Sequence, residues 1–191
     1  MANKIRAFDI VLMPPEKIAW QAQLVSRRLA KKGGLFTLDG ANYFPHITLY
    51  AGEFFERNIP KIETILYTLA WQTRSFAMTS LHYRQEEHGY VGVDYRKSKS
   101  ANDLRKKIID SVHPFCEYHK KRKKNEPGWC SAEEEFIPHL TFTKFEKYTP
   151  SALRGIKEFD FSFRASSIGL YYLGEYGTCR KLVQFFDLPP Q

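Results

Sequence analysis

The stretches Phe44 to Tyr50, FPHITLY, and Ile137 to Thr143, IPHLTFT, follow one pattern: apolar, Pro, His, apolar, Thr, apolar. In each, the histidine opens a run that alternates like a strand. His46 and Thr48 therefore project from one face, and Ile47 and Leu49 from the other. His139 and Thr141 do the same over Leu140 and Phe142. The proline before each histidine cannot donate to a ladder, which suits the start of a strand at a sheet rim and leaves the histidine accessible.

Working outward, Arg6 to Met13 reads as a strand, and Pro14 and Pro15 lead into EKIAWQAQLVSRRLAKK, whose apolar residues fall at helical spacing until Gly33 and Gly34. HITLYAGEF reads as a strand, Ile59 to Trp71 as a helix opening at Pro60, and SFAMTSLHYR as a strand. The second half repeats the order. GYVGVDYR is a strand, Ser100 to Cys116 a helix with Asn102 as its cap, and HLTFTKF a strand. A short helix PSALRGIKEF, a strand FSFRASSIGLYYL and a closing strand CRKLVQFFDL follow. Each motif lies on the second strand of its half. An internal duplication is the economical reading, and it predicts two pseudo-symmetric lobes, roughly 1–85 and 86–191, whose equivalent strands line a shared cleft.

A chain of 191 residues, 43% hydrophobic and 15% aromatic, can bury one sizeable core or two small lobes sharing a cleft. No tract is long enough for a flexible linker, and no apolar run approaches the roughly 20 residues that span a bilayer. MANKIRAFDIVLMPPEK has no small-residue cleavage site, so the expectation is a soluble, unsecreted, cytoplasmic protein with no membrane partner. Cys116, Cys130 and Cys179 are odd in number and widely spaced, unlike a disulfide framework or a zinc site with close ligand pairs.

The balance of 29 Lys+Arg against 21 Asp+Glu gives +8, which attracts polyanions such as RNA. Part of the excess sits in Lys120 to Lys124, KKRKK, read first as a solvated loop or helix end, then as nucleic-acid steering, and third as a localisation signal. His82, His88, His113 and His119 share no repeat and no metal-ligand spacing, and read as surface or structural. KGG at 32–34 and GEYG at 174–177 are too short and wrongly placed for a P-loop or a dinucleotide fingerprint, so nothing supports ATP or NAD as cofactor.

Two imidazoles across a cleft suit phosphodiester cleavage: one takes a proton from the attacking hydroxyl while the other gives a proton to the leaving oxygen. Threonine hydroxyls on the same face can donate to the non-bridging phosphate oxygens. A lone His-x-Thr is more often structural than catalytic, but packing alone gives no reason for both halves to keep the polar pair at one strand position. A nucleobase also needs a stacking partner. Tyr50 lies on the His46 face, and Tyr171, Tyr172 and Tyr176 cluster near the chain's end; Tyr50 and Tyr172 are the candidates, against the alternative of ordinary half-buried strand residues.

The paired motifs HITL at 46–49 and HLTF at 139–142, in this element order, resemble the two-histidine (2H) phosphoesterases, a superfamily that includes RNA 2',3'-cyclic phosphodiesterase/2'-5' RNA ligase-like proteins and eukaryotic cyclic phosphodiesterases. The resemblance covers nearly the whole chain. It implies an α+β fold, duplicated and two-lobed, with antiparallel sheets lining a central cleft and helices outside. It also implies catalytic His46 and His139, phosphate-binding Thr48 and Thr141, no metal, no cofactor, and a monomer acting on a nucleotide or RNA ester. Bacterial members often carry an Arg five residues after the second His; here Lys144 stands there, able to contact phosphate without a bidentate fork. Strict alternation turns Lys144 away from His139 unless a bulge intervenes. A metal-independent hydrolase is the expectation. The alternative is a non-catalytic module that binds RNA or nucleotide ends in the same cleft, and turnover separates the two.

Overall fold

A computed structural model describes residues 4–117 and 135–191; the KKRKK run, His119 and Cys130 lie outside the described residues. Described in chain order are β1 (Ile5–Leu12), α1 (Glu16–Ala30), β2 (Ile47–Phe55), α2 (Ile59–Trp71), β3 (Phe76–Met78), β4 (Ser80–Gln85) and β5 (Tyr90–Tyr95). They are followed by α3 (Lys99–Val112), β6 (His139–Lys144), β7 (Phe163–Ala165), β8 (Ser167–Leu173) and β9 (Cys179–Asp187). The helices form where the spacing predicts. α1 buries Ile18, Ala22, Val25 and Leu29 along one stripe and carries Glu16 in its first turn and Arg27 and Arg28 in its last, which complements the helix dipole. α2 opens with Pro60 in its first turn and buries Ile62, Leu66 and Leu69.

Three expectations are corrected. Ser98, not Asn102, caps α3, its hydroxyl accepting from the Ala101 amide, and the α-helix stops at Val112, where a single 3-10 turn, His113–Phe115, follows and Pro114 has no N–H to continue the ladder. Residues 150–159 form no helix: 150–155 are turns that end at Gly155, whose φ of 71° belongs to the left-handed region, and 156–159 are irregular. SFAMTSLHYR and FSFRASSIGLYYL each split in two, because each run leaves one sheet for another: β3 pairs with β7, β4 with β5, and β8 with β1 and β9.

All the pairings are antiparallel, in sheets ordered β2-β1-β8-β9, β4-β5-β6 and β3-β7. The sheets do not follow a division of the chain at residue 85. β8, from the second half, pairs with β1 from Phe8↔Tyr172 to Leu12↔Ile168. The helices also cross over. α3 packs on β2 and α2 on β8 and β9, while α1, which lies between β1 and β2 in the chain, packs on β6. One continuous core results, holding Phe8, Ile10 and Leu12 of one sheet together with Val91, Val93, Leu140 and Phe142 of another. Burying each such side chain contributes about 1.5–3 kcal/mol.

Both motif strands carry the same bulge. On β2, Thr48 faces Val11 and Tyr50 faces Ile10, so Leu49 is the extra residue. On β6, Thr141 faces Gly92 and Thr143 faces Val91, so Phe142 is the extra residue. Two successive residues therefore point into the core, Leu49 with Tyr50 and Phe142 with Thr143, and the alternation changes phase beyond them. Gly92 permits the second bulge: a Cβ there would meet the Leu140 carbonyl oxygen at 2.4 Å.

Candidate active site

β2 and β6 adjoin, which brings the two motifs together. His46 Nδ1 lies 2.7 Å from the Phe44 carbonyl, and His139 Nδ1 lies 2.8 Å from the Ile137 carbonyl. A carbonyl only accepts, so Nδ1 carries the proton in both rings, and Nε2 is left as the basic nitrogen. Burial holds both imidazoles below the usual histidine value. A charge on His139 lowers His46 further, so each ring feels the other.

The surroundings of the two rings differ. Asp9 of β1 is fully buried beside His46, with its Oδ2 2.9 Å from the donating Thr48 hydroxyl, 3.5 Å from His46 Nε2 and 3.7 Å from the Cys179 thiol. Burial pushes its carboxyl up to about 8, against the smaller opposing effect of the Thr48 and Cys179 hydrogen bonds. Its Oδ1 has no hydrogen-bond partner among the described residues. Asp9 faces Ala51 across the strands; the equivalent pair in the second half is Tyr90 facing Lys144. On that side His139 faces Asp94, which Arg84 binds at 2.9 Å and His82 approaches at 3.8 Å. Besides burial, the Arg84 charge lowers the His139 pKa and the Asp94 charge raises it.

The bulge decides the remaining predicted residues. Lys144 shares the face of Thr141 and His139, and its Nζ stands 4.8 Å from the Tyr90 ring and 5.2 Å from the Tyr176 ring. Tyr50 is turned into the core, with 0% exposure and its hydroxyl on His113 Nδ1 at 2.8 Å, so it cannot stack on a nucleobase. Tyr172 is also misassigned: it packs on Phe8, 4.9 Å between ring centres, on the sheet face opposite Asp9. Tyr176, like Tyr90, stands beside Lys144. It is 38% exposed, lies 6.1 Å from the Phe36 ring, and has φ 58°, a strained value for a bulky side chain. The backbone of the next residue, Gly177, raises the His46 pKa against the larger effect of burial.

Asp9, Asp94 and Arg84 were not singled out in the sequence, whereas Tyr176 belongs to the tyrosine cluster noted near the chain's end, although Tyr50 and Tyr172 are the stacking candidates there. Asp9 had a signal, a lone carboxylate in the apolar run IRAFDIVL. Of the remaining histidines, His113 supports Tyr50, while His82 and His88 are exposed.

Paired imidazoles and hydroxyls on twin bulged strands of an α+β frame define a class, and sequence comparison gives the same one. The family model of the 2'-5' RNA ligase superfamily matches residues 16–177, and the chain belongs to that superfamily. Among solved structures, TT0787 of Thermus thermophilus is similar at 17% identity and a TM-score of 0.67, covering 97% of this chain and 99% of that one. E. coli LigT complexed with 3'-AMP is similar at 15% identity and TM-score 0.62, with the same coverage. The MHV ns2 PDE domain is similar at 12% identity and TM-score 0.51, covering 95% of this chain and 99% of that one. The shared fold is that of the LigT-like 2H phosphoesterases. No curated protein matches the sequence. Among the described residues, no helix is long and apolar enough to cross a membrane.

Proposed function

We propose that the protein hydrolyses nucleotide or RNA phosphodiesters, 2',3'-cyclic phosphates or 2'-5' linkages, with His46 and His139 sharing acid and base duties. The observation that supports this reading is the repeated latch: each Nδ1–H is tied to the carbonyl two residues back, so Nε2 is the basic nitrogen of both rings, and the strands that carry the two motifs adjoin. One neutral ring takes a proton from the attacking water while the other, protonated, gives its proton to the leaving oxygen. Mutual repulsion and burial both disfavour a doubly charged pair, so the singly protonated state that this chemistry needs is the favoured charged one.

The Thr141 hydroxyl makes no hydrogen bond among the described residues and is free to donate to a phosphate oxygen. Thr48 is coupled to Asp9. The Thr48 hydroxyl donates to Asp9 Oδ2 and can turn to donate to a phosphate oxygen when substrate enters. Lys144 adds positive charge, and Tyr176 offers a ring face to a base. E. coli LigT has been solved with 3'-AMP, ATP and phosphate, which supports a nucleotide-type substrate for the present chain.

The test is incubation, in EDTA, with 2',3'-cyclic nucleotides, 2'-5' oligoadenylates and cyclic-phosphate RNA ends. Cleavage is expected for at least one. Tight, salt-sensitive binding with no turnover of any would instead favour a module that only holds nucleotide ends.

A further inference from the structure

We propose that Asp9, His46 and Cys179 form a binding site for a thiophilic divalent cation of the zinc type, and that this cation switches the cleft off. The block on turnover rests on the function proposed above; the binding does not. A carboxylate oxygen of Asp9, a ring nitrogen of His46 and Sγ of Cys179 all lie within 4.8 Å of one another. Asp9 Oδ2 is 3.5 Å from His46 Nε2 and 3.7 Å from Cys179 Sγ. Zinc bonds of about 2.0–2.3 Å at a tetrahedral angle place donor atoms roughly 3.3–3.6 Å apart, so these separations already come close to the edges of a coordination tetrahedron.

The donors are held in place by backbone. Asp9 sits within β1, and Cys179 opens β9. Phe44 ties the other two together: its N–H donates to the Cys179 carbonyl at 3.1 Å, and its own carbonyl accepts His46 Nδ1–H at 2.7 Å. That second bond fixes the tautomer that offers Nε2 to a metal, as outer hydrogen bonds do for ligating histidines. A further observation points to a missing partner. Asp9 is 0% exposed, and its Oδ1 has no hydrogen-bond partner among the described residues, a costly arrangement for a carboxylate that a cation would relieve.

The donor set selects the ion. Nitrogen and sulfur ligands suit zinc, cobalt or cadmium and not magnesium or calcium, which prefer oxygen. On binding, the Cys179 S–H bond breaks as the sulfur–metal bond forms, and the proton leaves to solvent with any proton on Asp9. Three protein ligands leave a fourth position for water. The ion occupies the His46 Nε2 lone pair and the Asp9 carboxyl that couples to Thr48. The ligand positions, 9, 46 and 179, come from three separate segments, so no close sequence spacing announces the site.

Cobalt titrated into protein freed of metal by EDTA and gel filtration tests the proposal. We expect a thiolate-to-cobalt charge-transfer band that saturates at one equivalent and is bleached by zinc. It should be retained in Cys116→Ser and Cys130→Ser and lost in Cys179→Ser. Zinc should inhibit turnover, and Cys179→Ser should weaken that inhibition about ten-fold or more, each protein being compared with its own metal-free rate. If Cys179→Ser folds poorly, cadmium NMR of the wild-type protein supplies the answer, with a shift typical of one sulfur ligand expected. No band at excess cobalt, a band that survives Cys179→Ser, or a cadmium shift without a sulfur ligand would overturn the site. A band without phosphodiester turnover would leave the cation site standing and remove the enzyme; turnover without a band would do the reverse.

Discussion

The two sides of the cleft share a frame and differ in what surrounds it. Each histidine follows a proline, donates Nδ1–H to the carbonyl two residues back, and precedes a bulge one residue past the threonine. Yet where the first side faces buried Asp9 against Ala51, the second faces Tyr90 against Lys144. Thr48 is tied to a carboxyl and Thr141 to nothing among the described residues. On the proposed function, an internal duplication would account for the paired histidines, and their different surroundings would account for different roles in proton transfer.

The largest effect tests the shared part. His46→Ala and His139→Ala should each lower kcat by about 10²–10⁴ or more, with circular dichroism and melting showing an intact fold. Retained activity in either would break the symmetry at its root. The threonines come next. Thr141→Val should cost about 10²–10³ in kcat, the scale of a lost transition-state donor, and leave stability alone. Thr48→Val should also destabilise the protein by about 1–3 kcal/mol in a denaturant titration, because Asp9 loses its donor. Equal stability losses in the two would erase the asymmetry.

Asp9 sharpens the comparison through pH. Its carboxyl rises from 3.8 to about 8 on folding, so between those values the folded protein keeps a proton that the unfolded chain has released. Asp9 therefore makes stability fall as pH rises from about 4 to about 8 and then level off. His46 and His139, lowered from 6.5, act the other way and cost stability as pH falls below that value. In metal-free buffer, Asp9→Asn should gain stability over the wild type at pH 9 relative to pH 5, on the order of a few kcal/mol. A parallel pair of stability curves would contradict the burial argument. A smaller effect is expected from Lys144→Ala: about ten-fold weaker binding of a phosphate-bearing ligand, a shallower salt dependence and little change in kcat.

The alternation in FPHITLY and IPHLTFT was enough to place His46, Thr48, His139 and Thr141 on one kind of face, and helical spacing gave α1, α2 and α3 to within a few residues. The bulges were not legible. An extra Leu49 or Phe142 leaves the apolar pattern nearly unchanged, yet it sends Tyr50 inward and brings Lys144 to the cleft. Strand partners were equally hidden, since β3 and β4 form one apolar run while pairing in different sheets. Asp9 stood in plain view, but its significance depends on contacts with His46 and Cys179 that only the folded chain makes.

The central claim is that both imidazoles serve one phosphorus atom, and a kinetic double-mutant cycle tests it most directly. Turnover of a cleaved 2',3'-cyclic nucleotide would be measured in EDTA for the wild type, His46→Ala, His139→Ala and the double variant. If the rings act as a unit, the double variant is no slower than the worse single one. Losses that multiply across the cycle would mean that the two histidines work at separate places, and the account would fail.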